Sequence, residues 1–132
     1  MMMTYVKEGS SPPVAGASIL LASDSARHGS KMHRALQQQG MAVEYAGDYA
    51  QLDEALRRRR FDVVLLEVTG EHAVEAAVAA ALQVKRSNAG QFVGYVADAH
   101  LETSGLAGDA VFPRNAARLP RELQQKFFSE EN

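Results

Sequence analysis

Short, near-continuous apolar runs alternate along this chain with longer stretches in which apolar residues recur every three or four positions. Ser18 to Ala22 is the first short run and reads as a buried strand. Asp24 and Ser25 offer a helix cap behind it. His28, Met32, Ala35, Leu36 and Gln39 then share one helical face, and Gly40 ends the helix. Ala42 to Ala46 alternates as a second strand. Asp48 and Gln51 have capping-box spacing, and Leu52, Ala55 and Leu56 give the second helix its apolar stripe. Phe61 to Val68 contains the run Val63-Val64-Leu65-Leu66, a third strand. Val74, Ala77, Val78, Ala81 and Leu82 follow the i, i+3, i+4 rule of an amphipathic helix, which Asn88-Ala89-Gly90 stops. Phe92 to Val96 is a fourth strand, His100 to Leu106 a weak, short helix broken by Gly105, and Ala110 to Phe112 a short fifth strand. Pro120 suits the first turn of a last helix that buries Leu119, Leu123 and Phe127.

Five strand-helix units in succession predict an α/β fold. Each crossover should be right-handed, which makes the sheet parallel and puts helices on both faces. Strands covered on both sides have no need to alternate, which accounts for the unbroken run in the third. In such sheets the functional crevice lies beyond the carboxyl ends of the strands. Those ends are Ser23-Asp24, Glu67-Val68-Thr69, Val96-Ala97-Asp98 and Phe112-Pro113-Arg114.

Composition narrows the function classes. With 132 residues the chain is the size of one domain, and no repeat divides it. The hydrophobic share of 46% argues against disorder of the whole chain, and a net charge of -2 against bulk polyanion binding, so no nucleic-acid partner is expected. No cysteine is present, which removes disulfides, thiolate metal sites and cysteine nucleophiles. Residues 1–17, with Gly9, Ser10, Ser11, Pro12, Pro13 and Gly16, read as a flexible leader ahead of one domain over 18–130. The leader lacks the apolar core of a signal peptide, and no apolar run is long enough to span a bilayer. The cytoplasm is the expected compartment, with no membrane partner. No nucleophile elbow, Gly-rich phosphate loop or credible carboxylate pair supports an enzyme.

From about Ser18 to Phe127 the chain resembles the receiver domain of response regulators. The stretch Val43 to Val68, VEYAGDYAQLDEALRRRRFDVVLLEV, carries the resemblance most specifically through its length, turn and strand register. The resemblance implies a flavodoxin-like, doubly wound, five-stranded parallel sheet of order 2-1-3-4-5, here with its fourth helix shortened, and a role in two-component signalling. A receiver that takes up phosphate uses two acids after strand one to hold Mg²⁺, an aspartate ending strand three, a hydroxyl on strand four and a lysine after strand five. Metal, ammonium and hydroxyl together offset the charge of an acyl phosphate beside carboxylates. At those positions this chain has Ser23 and Asp24, Glu67, Val96, and Pro113, or Arg114 after a slip of one residue. Valine cannot donate a hydrogen bond, and arginine keeps the charge of lysine but not its compact ammonium. Ala110 or Val111 stands where the family has a switch aromatic. The expectation is a pseudo-receiver, independent of phosphorylation, with no bound metal and no cofactor.

Several features remain open to more than one reading. Glu67 is either a permanent mimic of the phosphorylated state or a solvated carboxylate at a strand end. Asp24 either binds a metal or caps the first helix. The run Arg57 to Arg60 either binds a phosphate-bearing ligand or forms a solvated helix end beside a favourable dipole. His28, His33, His72 and His100 lack metal-ligand spacing and read as ordinary histidines. On the last helix Arg121, Gln124, Gln125 and Phe128 point away from the buried stripe and form the expected interaction face. The resemblance implies a protein partner there, either a sensor kinase, an effector domain or another receiver, with a homodimer as one form of the last. As a second reading, Asp24 to Gly29, Lys31 and Gly108 to Phe112 are similar to a cobalamin-binding domain of the same fold. Ala26 replaces that family's cobalt-ligating histidine, and His28 lies two residues too far along.

Overall fold

A computed structural model describes residues 17–101 and 110–128, with backbone only for 26–30, 127 and 128. Five strands, β1 (Ser18–Ser23), β2 (Ala42–Gly47), β3 (Val63–Val68), β4 (Phe92–Ala97) and β5 (Ala110–Pro113), form one sheet in the order β2-β1-β3-β4-β5. All neighbouring pairs are parallel, with Ile19 beside Val63, Val63 beside Phe92 and Gly94 beside Ala110. Among the described residues four α-helices accompany them: α1 (Ala26–Gln38), α2 (Leu52–Arg58), α3 (Val74–Ser87) and α4 (Leu119–Leu123), the last continued by a π-helical turn, Gln124–Phe128. Among the described residues no helix is long and apolar enough to cross a membrane.

The sheet divides the apolar interior in two by strand alternation. Leu20 and Ala22 of β1 and Val64, Leu66 and Val68 of β3 face α2 and α3. Ile19 and Leu21, with Val63 and Leu65, face α1 and α4. Every residue of β3 is buried, the cost of a strand with helices on both sides. Ser23, Glu67 and Val96 fall on the α1/α4 side by the same alternation, Ser23 beside Glu67 and Glu67 beside Val96.

Helix α1 closes on Gly40, which at φ 89° occupies the left-handed region. Gly40 N–H donates to Gln37 O at 3.0 Å and Met41 N–H to Leu36 O at 3.4 Å, a Schellman closure. At its other end the expected caps do not form. Ser25 is the N-cap of α1 but makes no side-chain cap bond, and Asp24 is engaged elsewhere. Asp48 likewise heads a short 3-10 turn without a side-chain cap, so the capping box with Gln51 is absent.

Helix α3 buries Val74, Ala77, Ala81 and Val84, whereas Leu82 is 50% exposed. The stripe therefore runs one step further round the helix than its leucine suggested, with Val84 as the missed member. Between β4 and β5 the described chain holds one 3-10 turn, Ala99–Leu101, and the rest of the expected short helix lies outside the described residues. Of the expected leader over 1–17, residues 1–16 also lie outside them, while Ala17 is not flexible chain: it is buried in the α1/α4 cluster, and its carbonyl accepts from Ala42 N–H at 2.7 Å.

Candidate functional site

The carboxyl ends of β1, β3 and β4 and the residue after β5 bring Ser23, Asp24, Glu67, Val96, Pro113 and Arg114 to one edge of the sheet. Each is placed by the strand it ends or follows. Ser23 is buried, and its hydroxyl is closed on the next turn: Oγ donates to Ser25 O at 2.9 Å and accepts from Ser25 N–H at 3.0 Å.

Asp24 binds the loop after β3. Its Oδ1 accepts from Thr69 N–H at 2.9 Å and its Oδ2 from the Thr69 hydroxyl at 2.6 Å. His72 Nε2 stands 3.4 Å from the same Oδ2, on a side chain 76% exposed. Asp24 thus ties β1 to β3 and does not cap α1. A carboxylate bound by two donors gains more there than it would at the first turn of a helix.

Glu67 departs furthest from a solvated strand end, for its exposure is 0%. Its Oε2 accepts from Arg114 Nη1 at 3.4 Å, and Arg114 Nη2 reaches Asp98 Oδ2 at the same distance. Both contacts are long for charge-assisted hydrogen bonds, which centre on about 2.7–2.9 Å. They describe an ion pair with its guanidinium straddling two carboxylates. Arg114 is held in place by its backbone, whose N–H extends the β4–β5 ladder to Ala97 O at 3.2 Å. Of the two positions expected for a cation after β5, the charge is therefore delivered by 114, while Pro113 pairs with Ala97 as a strand residue.

Val96 is fully buried beside Glu67, packed in the apolar cluster of the α1/α4 side. It presents two methyl groups and no donor.

Two tyrosines complete the surroundings without having been expected. The Tyr49 hydroxyl donates to Glu67 O at 2.6 Å. Burial first, then the negative charges of Asp24 and Glu67, hold its phenol well above the usual range. Burial and Glu67 also push the Tyr45 phenol up. Tyr45, Tyr49 and His72 are the site residues that sequence reasoning missed, while Thr69 and Asp98 were placed at the strand ends but given no role. The hydroxyl of Thr69, directly after the β3 end, was the signal available.

This donor set does not fit the divalent cation that the receiver resemblance implies. Mg²⁺ prefers several oxygen ligands free to approach it. Here both Asp24 oxygens already accept from Thr69, and Glu67 lies against a guanidinium. Among the described residues no group of three or more His, Asp or Glu is placed to hold a metal.

The expected interaction face lies apart, on the last helix. Arg121 and Gln125 are exposed and Gln124 half-buried, while Leu119 and Leu123 are fully buried. The side chains of Phe127, Phe128 and His28 lie outside the described set, as does the whole of Gly108 and Asp109.

No protein-family description matches the sequence, and no curated protein matches it. Solved structures do. A response regulator from Thermotoga maritima superposes with a TM-score of 0.70 over 86% of this chain and 99% of its own, at 14% identity. An orphan response regulator of H. pylori gives 0.62 over 87% and 99%, also at 14% identity. A chemotaxis protein of Vibrio cholerae gives 0.62 over 84% and 98%, at 21% identity. With the five-stranded parallel order, these likenesses show that the chain has the receiver-domain, flavodoxin-like fold.

Proposed function

We propose that this chain is a pseudo-receiver, a signalling module that acts by protein contact and independently of phosphorylation. One observation carries the reading: the carboxylate at the end of β3 is buried and ion-paired with Arg114. In a receiver that takes up phosphate, the acceptor must stand open to metal and phosphoryl donor, and a cation must stay free for the phosphoryl oxygens. Here the extra methylene of Glu67 and the longer reach of Arg114 bring the two together, so the acceptor and its counter-charge neutralise each other. Ser23, Asp24 and Val96 complete a dismantled pocket. The first two are committed to backbone and to Thr69, and the third offers no hydrogen bond.

Without a phosphoryl switch, the output rests on a permanent surface. Arg121, Gln124, Gln125 and Phe128 on the last helix are the face we assign to a protein partner in the cytoplasm. That partner is a sensor kinase, an effector domain or another receiver, a second copy of this chain included. Arg121→Glu and Phe128→Ala test the assignment. Each is expected to weaken self-association or partner capture while the melting temperature stays nearly unchanged. For Phe128→Ala, a stability loss above about 2 kcal/mol would place Phe128 in the core and the contact face elsewhere.

A further inference from the structure

At the other end of the sheet from Glu67, the carboxyl-terminal ends of α2 and α3 enclose a groove of about 450 Å³. Three of the four consecutive arginines, Arg57, Arg59 and Arg60, line it. The fourth, Arg58, is spent on Glu44 of β2 at 2.7 Å. Arg59 lies over the Phe61 ring at 4.8 Å from its centroid and reaches Glu44 only at 4.0 Å. Arg57 and Arg60 have no carboxylate within ion-pair distance among the described residues. One acid, Asp53, shares the groove, so its lining carries a formal charge of +2 in a chain whose total is -2.

The remaining lining is amphipathic. Leu56 and Val84 supply an apolar floor between the two helices. Asn88 uses its Oδ1 on Gly90 N–H at 3.1 Å, which leaves its amide N–H groups as donors. Beneath the groove the buried Gln91 donates to Phe61 O and Phe92 O, both at 3.2 Å, and so ties the entries of β3 and β4 together.

Clustered guanidiniums suit phosphate, whose oxygens they can bind in pairs. The charge is concentrated within four residues and not spread along a face, which matches a compact polyanionic head better than an acidic polypeptide. The volume lies within the small-ligand range of about 300–1,000 Å³. We propose that this α2–α3 groove binds a phosphate ester of mononucleotide size, with its phosphates on Arg57, Arg59 and Arg60 and its organic body on Leu56 and Val84. The inference does not depend on the pseudo-receiver reading.

The full chain, labelled with ¹⁵N, is titrated in separate arms with ADP, pyrophosphate and a short polyglutamate peptide. ADP is expected to give saturable shifts at the Arg57, Arg60, Ser87 and Asn88 amides and to bind more tightly than pyrophosphate. The double variant Arg57→Gln/Arg60→Gln should bind ADP about ten-fold more weakly or worse, the effect of losing charge-assisted contacts. Asn88→Asp, which leaves α2 untouched and adds a negative charge, should weaken it likewise. Glu67→Gln should leave the affinity unchanged. Melting curves of the arginine variants should match the parent, since these side chains are exposed. Shifts centred elsewhere, unchanged affinity in both groove variants, equal affinity for ADP and pyrophosphate, or polyglutamate binding as tightly as ADP would each overturn the proposal.

Discussion

A glutamate with no solvent exposure is an expensive residue, and Glu67 has the Arg114 guanidinium set against it. Burying an ion costs several kcal/mol unless a partner and hydrogen bonds compensate. Arg114 supplies the partner at 3.4 Å while itself only 21% exposed. Arg114→Ala should therefore destabilise the protein by about 2–3 kcal/mol, below the cost of the tightest buried pairs because this contact is long. Denaturant titration measures it, and a loss under about 0.5 kcal/mol would mean that the pair is incidental. Tyr49 gives a second test. Its phenol is raised above the ordinary value of about 10, so above that pH the unfolded chain loses a proton that the folded chain keeps. The stabilisation is full below pH of about 10 and fades as pH rises beyond it. Tyr49→Phe should cost about 1 kcal/mol at neutral pH through the lost bond to Glu67 O and make the alkaline decline shallower. An alkaline decline equal to the parent's would assign it to other groups.

At the scale of elements, periodicity located the strands and helices but misjudged one face and two caps. The buried arc of α3 was read as ending in Leu82, since leucine dominates any hydrophobicity count. Position 84 completes the 3.6-residue stripe and position 82 does not. Val84→Ala should cost about 1–3 kcal/mol, whereas Leu82→Ala should stay within about 0.5 kcal/mol. Similar losses for the two would put Leu82 in a buried contact. Asp24 illustrates why side-chain roles resist sequence reading. An aspartate before a helix has the pattern of a cap, yet a hydroxyl and an N–H from Thr69, 45 residues away, provide stronger donors. Nothing local in the sequence reports such a partner. Gly94 in β4 was equally silent. A Cβ there would stand 2.7 Å from Phe112 Cε2 and 3.3 Å from Leu65 Cδ2. Gly94→Ala should cost about 1–3 kcal/mol by overpacking, and a neutral result would show that the Phe112 ring can move aside.

For the molecule as a whole, the alternation of strand and helix patterns was enough to expect a parallel sheet, and resemblance over Val43 to Val68 was enough to expect its order. Both are found. The sheet edge then follows from topology, because parallel strands deliver all their carboxyl ends to one side. The choice between Pro113 and Arg114 as the cationic position was not legible. It depends on how the β4–β5 ladder ends, with Arg114 N–H still bonded to Ala97 O, and on the reach of a side chain. The burial of Glu67 was illegible for the same reason: Arg114 and Val96, which stand against it, come from the turn after β5 and from β4.

The central claim is that this receiver fold has no working phosphoryl switch, and one spectrum tests it. A ¹H–¹⁵N correlation map of the chain is recorded before and after addition of beryllofluoride with Mg²⁺, which together imitate a bound phosphoryl group. We predict that the two maps superimpose, including the amides of Asp24, Glu67, Thr69, Ala97 and Arg114. Saturable shifts gathered at those amides, spreading to the last helix, would contradict the claim and return the chain to the phosphorylated receivers.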